Sequence, residues 1–203
     1  MSIKDRIKNG EVVIGTWSML ASTQVTEILC QAGFDFIVTD QEHATITTNQ
    51  IEDAVRIEEL YGICPAVRVI KNDIDVIKQV MDTGAQMAVV PMIKTKEDAE
   101  KAVASVKYPT AGARGVGLAR AQKYGLDLAS YMEWNGKESI VILQVEHINA
   151  VNNLEEILSV PGVDGTYIGP YDLSASLGKP GDFQCPEFLE AVKKIRESQQ
   201  RIL

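Results

Sequence analysis

The chain has 203 residues, 45% of them hydrophobic and 24% charged, with a formal net charge of −8. That length suits one domain over residues 1–203, and the acidic balance excludes a nucleic-acid or anionic-membrane surface built on clustered Lys and Arg. Cys30, Cys64 and Cys185 are odd in number and lack metal-ligand spacing. No stretch reaches the roughly 20 apolar residues of a membrane span and no secretory signal is visible, so the chain reads as cytoplasmic with free thiols.

The pattern then alternates strand and helix. Residues 12–17 read as a strand, and residues 23–32 as a helix stopped by Gly33. Residues 34–39 carry the continuous apolar run of a parallel strand, and residues 49–61 are helical up to Gly62. A third strand covers 66–69, and Asp73 caps a helix that reaches Thr83 before Gly84. Residues 86–92 form a fourth strand and 95–107 a helix with a polar first turn.

Residues 108–124 break this rhythm with Pro109, Gly112, Gly115 and Gly117, the composition of a functional or mobile loop. A short helix over 126–134 follows. A fifth strand ends at Glu146, a helix covers 150–158, and a sixth strand over 163–168 leads into the turn Gly169-Pro170-Tyr171-Asp172. Residues 186–199 form a helix with Pro at its first turn, and residues 201–203 read as the start of a seventh strand. Repeated right-handed βα units leave an open doubly wound sheet or a closed barrel. The first βα turn, Ser18-Met19-Leu20-Ala21-Ser22, lacks the glycine fingerprint of a dinucleotide site. An eight-stranded barrel takes about 250 residues, so this chain is short of closure by about two units.

Polar residues recur where strands end: Asp40-Gln41-Glu42-His43, Arg68, Gln144 with Glu146, and Asp172. Strand ends converge on one mouth in such a barrel, and two hard carboxylates on neighbouring strands, Glu146 and Asp172, suit a Mg²⁺-type ion. Surface polarity, or a helix-capping role for Asp172, is the plainer alternative. Asp40 stands three residues before His43, close enough to orient its imidazole; a solvated loop histidine is the alternative. Arg68 in a buried strand demands an anionic partner, whether a structural carboxylate or a substrate oxygen. Trp17 either walls a pocket or belongs to the core. His147 is expected to point away from the site or to start the next helix.

These segments, in this order, resemble the metal-dependent pyruvate aldolases of the HpcH/HpaI family. The matching runs are Gly15-Thr16-Trp17, Asp40-Gln41-Glu42-His43, Val67-Arg68, Gly112-Ala113-Arg114-Gly115-Val116-Gly117, Gln144-Val145-Glu146 and Ile168-Gly169-Pro170-Tyr171-Asp172-Leu173-Ser174. The resemblance implies an α/β fold, a TIM (β/α)8 barrel, here C-terminally truncated to about six βα units. It implies reversible aldol cleavage of a 4-hydroxy-2-oxo or 2-keto-3-deoxy acid to pyruvate and an aldehyde through a metal-stabilised enolate. The cofactor would be Mg²⁺, Mn²⁺ or Co²⁺ on Glu146 and Asp172. Arg68 and Gln144 would contact the pyruvate oxygens, the backbone of Tyr171 and Asp172 the carboxylate, and Trp17 the substrate pocket. His43, held by Asp40, would be the acid/base group, and Asp82 would act across a subunit interface. A homo-oligomer, a trimer of dimers, is the implied assembly. The alternatives are an acyl-CoA lyase of the same superfamily, which would want a basic groove for the CoA phosphates, and an inactive truncated fragment.

Overall fold

The computed structural model describes residues 2–202. Among these, six strands form one parallel sheet: β1 (Gly15–Ser18), β2 (Phe36–Asp40), β3 (Cys64–Arg68), β4 (Met87–Val90), β5 (Ile140–Val145) and β6 (Gly165–Ile168). Each pairs in parallel with the next, in the order β1-β2-β3-β4-β5-β6. That monotonic order has no point of reversal, which removes the doubly wound alternative.

Side chains alternate between the two faces. Outward residues Val67, Ala88, Val90, Val141, Leu143 and Val145 pack beneath the helices. Inward residues Val38, Cys64, Ala66, Met87, Val89 and Ile140 form a second cluster with Trp17, Phe36, Ile142 and Tyr167. The sheet curls around this inner cluster far enough that Trp17 of β1 and Tyr167 of β6 meet, ring centroids 5.1 Å apart. Both faces are therefore apolar, which is why the strands read as unbroken hydrophobic runs.

The helices are α1 (Ile3–Lys8), α2 (Thr23–Gln31), α3 (Thr48–Leu60), α4 (Ile74–Asp82), α5 (Lys96–Val106), α6 (Leu128–Glu138), α7 (Ile148–Asn152), α8 (Leu154–Leu158), α9 (Pro170–Ser176) and α10 (Pro186–Ile202). Thr47, Asp73 and Thr95 cap α3, α4 and α5 through their side chains, satisfying amide donors that a helix start leaves free. Lys4 of α1 donates to the Ser139 carbonyl and pairs with Asp164 at 2.8 Å, tying the first helix to the starts of β5 and β6.

Three expectations are corrected. The helix expected over 150–158 is two short helices broken at Asn153. The turn after Gly169 is the helix α9, with Pro170 in the first turn where its missing N–H is harmless. No seventh strand starts at 201: Arg201 and Ile202 continue α10, and Leu203 lies outside the described residues. The stripe Phe188, Ala191 and Ile195 buries one face of α10, and that helical period overrides the short apolar ending.

Candidate active site

The period of two that buries Val38 and Ala66 and turns Ile142 inward also aims the next inward residues at the carboxyl end of the sheet. Those residues are Asp40, Arg68, Gln144 and Glu146, all buried. Arg68 is the hub. Its Nε and Nη2 grip Asp40 in a two-pronged pair at 2.9 and 2.6 Å. Its Nη1 lies 3.2 Å from Glu42 Oε2 and donates to Gln144 Oε1 at 3.4 Å. Its guanidinium stacks 4.6 Å from the centre of the Trp17 ring. Trp17 thus both packs in the core and forms a wall of the cluster.

Burial pushes the Asp40 carboxyl up, but the Arg68 hydrogen bonds and charge outweigh it, aided by the His43 and Glu42 backbone N–H groups, and its pKa lies below the ordinary range. Glu42 is shifted the other way. Burial raises its pKa, and Glu146 and Asp40 add to the rise against the pull of Arg68 and His43. Its Oε2 is buried without a hydrogen bond.

Glu146 is held at both oxygens. Met92 N–H donates to Oε1 at 2.7 Å, and the Gln144 amide donates to Oε2. Met92 adopts φ 58°, a left-handed conformation that is strained for a side chain of this size. Gly169 is packed so closely that a Cβ there would sit 2.8 Å from Glu146 Cβ. The chain leading to Asp172 therefore crosses directly over Glu146. Asp172 itself lies in the first turn of α9, exposed, beside the exposed Tyr171, whose ring meets Phe183 edge-on at 5.0 Å.

His43 is exposed at the same mouth. Asp40 Oδ1 accepts from its backbone N–H, as it does from Glu42 N–H and Arg68 Nε. The carboxylate beside the ring is Glu42, 3.8 Å from Nε2. Asp40, expected from spacing to orient the imidazole, thus meets His43 at its backbone. His147 accepts at Nδ1 from Asn149 N–H and caps α7, outside the cluster. Asp82 ends α4 and pairs with Arg114 at 2.6 Å, at the amino end of the sheet and away from the cluster within one chain. The glycine-rich loop lies at that end as well.

Sequence reasoning missed two residues that the structure brings in. Glu42 stood in the Asp40–His43 run without a role; the acidic pair flanking Gln41 was the available signal. Met92 had none, since nothing marks a methionine for positive φ.

A curled parallel sheet in the order β1 to β6, with a guanidinium and buried carboxylates at its carboxyl end, is the arrangement of a truncated TIM-like barrel, whose sites lie at that end. Residues 13–201 match the HpcH/HpaI aldolase/citrate lyase family, and the chain belongs to it. It is 38% identical over 200 residues to the 2-keto-3-deoxy-L-rhamnonate aldolase of Escherichia coli K12, covering 98% of this chain and 73% of that one. A family protein from Burkholderia cenocepacia J2315 superposes with a TM-score of 0.92 at 31% identity, over 98% of this chain and 80% of that one. The HpcH/HpaI aldolase of Desulfitobacterium hafniense DCB-2 gives 0.91 at 30% identity, over 99% and 78%. The chain is accordingly a carbon–carbon lyase of a family whose aldolases cleave 2-keto-3-deoxy acids to pyruvate and an aldehyde. No described helix is long and apolar enough to cross a membrane.

Proposed function

We propose that the Arg68 cluster is the active site and that it cleaves a 4-hydroxy-2-oxo or 2-keto-3-deoxy acid, releasing pyruvate. The observation that carries this reading is the charge of the mouth: Asp40, Glu42 and Glu146 surround the single guanidinium of Arg68. Two net negative charges in a buried setting call for a divalent cation. The donor set fits one: Glu146 is fixed by two hydrogen bonds, and Asp172 stands on the adjacent helix start. Two hard carboxylates, Glu146 and Asp172, would hold the ion and leave positions for substrate and water.

A bound Mg²⁺, Mn²⁺ or Co²⁺ would act as a Lewis acid on the keto oxygen. Arg68 places positive charge where the enolate oxygen develops, and Gln144 fixes the orientation of that oxygen. The backbone N–H groups of Tyr171 and Asp172, at the α9 start, hold the substrate carboxylate. His43 Nε2 takes the proton from the 4-hydroxyl during cleavage and returns it during aldol addition. Trp17 shields the reacting carbon from water. The sheet is read as six of the eight units of a (β/α)8 barrel, in one cytoplasmic domain. The assembly is a homo-oligomer, a trimer of dimers, in which Asp82 reaches a neighbouring mouth.

The test is pyruvate release from a 4-hydroxy-2-oxo acid, with and without EDTA. Release that EDTA abolishes and Mg²⁺ or Mn²⁺ restores is the expected result. A folded, metal-loaded sample that releases no pyruvate would sink the reading.

A further inference from the structure

Glu42 occupies a position that the mechanism above leaves unused. Three guanidinium nitrogens of Arg68 are available, and Asp40 engages two of them. The third, Nη1, makes only a long bond of 3.4 Å to Gln144 Oε1, which leaves it to meet a substrate oxygen, and it faces Glu42 Oε2 at 3.2 Å. The same oxygen lies 3.8 Å from His43 Nε2. It is buried and makes no hydrogen bond, so neither partner holds it in good geometry. A carboxylate poised between two cations, bonded well to neither, is free to move to one when the other is taken.

We infer that Glu42 is a two-position positioning residue: it stands in for the substrate oxygen on Arg68 Nη1 in the free enzyme, and swings onto His43 when substrate arrives. This rests on the reading of the cluster as a pyruvate site. The consequence is a split of opposite signs. In the free state Glu42 competes with the incoming anion for Arg68, which weakens binding. In the bound state it fixes the His43 ring, and its charge beside Nε2 stabilises the imidazolium formed when that nitrogen takes the proton of the substrate hydroxyl, which speeds the proton transfer. A carboxylate that merely held the fold together would not oppose binding.

The experiment uses Glu42→Gln, which keeps shape and removes charge, and Glu42→Ala as a second variant. Oxalate, a dianion with the oxygen pattern of enolpyruvate, is titrated calorimetrically into Mg²⁺-loaded protein. Both variants should bind it about tenfold more tightly than wild type, since a competing negative charge is gone. The kcat for pyruvate release should fall about tenfold in Glu42→Gln while KM also falls. Unchanged or weaker oxalate binding in both variants overturns the inference. The two histidines of the chain, His43 and His147, allow a readout independent of activity. Imidazole ¹⁵N–¹H spectra in a His147→Asn background should show His43 ring signals that Glu42→Gln changes more with oxalate bound than without it. Ring signals that Glu42→Gln leaves identical with oxalate bound overturn the His43 half. Wild-type protein that neither binds oxalate nor releases pyruvate sinks the pyruvate reading itself, whereas wild-type binding that neither variant tightens sinks the Glu42 inference alone.

Discussion

Two buried arginines sit at opposite ends of the sheet, and their surroundings differ in one respect. Arg114, at the amino end, is fully buried. It pairs with Asp82 at 2.6 Å, bonds the Tyr131 hydroxyl at 3.2 Å, and lies 4.5 Å from the Tyr108 ring centre. One carboxylate and two aromatic rings balance its charge, with only the neutralised guanidinium's Nε left without a hydrogen-bond partner. Arg68, at the carboxyl end, is as well packed against Trp17 but faces Asp40 and Glu42, with Glu146 beyond Gln144. Burial of an arginine therefore does not mark a site. Surplus charge of the opposite sign around it does, because an unbalanced buried cluster persists only if a further ligand completes it.

The sharpest way to break this comparison is to make the same kind of change at both ends. Arg68→Lys keeps the charge and loses the planar fork that serves Asp40 and the substrate together. Pyruvate release should fall by about 10³-fold, with the melting temperature lowered by only a few degrees. A variant within tenfold of wild type would show that the mouth does not depend on the fork. Arg114→Met should act through stability. It strands Asp82 and removes the cation between two tyrosines, at a cost of about 3 kcal/mol. At about 2–4 °C per kcal/mol for a chain of this size, a melt should register it clearly. The folded fraction should lose far less kcat than the Arg68→Lys variant, any loss reporting Asp82 freed from Arg114 on its way to a neighbouring mouth. A kcat loss as large as that of Arg68→Lys at an unchanged melting temperature would mean that Arg114 serves the chemistry and not the fold.

The two ends were unequally legible in the sequence. The strands and their polar ends followed from apolar runs, so Asp40, Arg68, Gln144 and Glu146 were all in view, while strand order stayed open between a doubly wound sheet and a barrel. Their pairing was not, because Asp40 and Arg68 meet across neighbouring strands and no local spacing encodes that. Local spacing in fact misled: three residues from Asp40 to His43 suggested a bond to the imidazole, where the bond is to the backbone. Helix α9 was missed because Gly169-Pro170 reads as a turn, although a proline at a helix start is equally at home. The amino-end loop was legible only as irregular, since Arg114 finds its partners on α4 and α6, far along the chain.

A smaller effect belongs to the last turn of α3. Glu58 is 1% exposed and neither carboxyl oxygen has a hydrogen bond. Burial, with a smaller push from Glu59, lifts its pKa from an ordinary 4.5 to about 8. The folded state therefore keeps this proton where the unfolded chain has lost it. Its contribution to stability is present below about pH 4.5, declines as pH rises, and is gone above about pH 8. Glu58→Gln removes that slope. The variant should be more stable than wild type by about 2 kcal/mol at pH 8, and the gap should close towards pH 5. Denaturant midpoints at the two pH values measure it. A parallel offset at both values would assign the change to packing instead.

The finest distinction compares strain at the two ends. Met92 at the mouth and Lys123 in the amino-end loop both hold positive φ, 58° and 50°. Glycine relieves such a conformation, so each change to glycine should raise stability by up to about 1 kcal/mol. For Lys123→Gly the gain is slightly reduced by the exposed Asp127 pair it loses, and activity should not change. For Met92→Gly the same relief loosens the backbone N–H that fixes Glu146 Oε1, so Mg²⁺ affinity should drop a few-fold even as the melting temperature rises. Opposite movement of stability and metal affinity is what separates strain kept for a purpose from strain merely tolerated. If Met92→Gly binds Mg²⁺ as wild type does, the Met92 backbone is as incidental as that of Lys123.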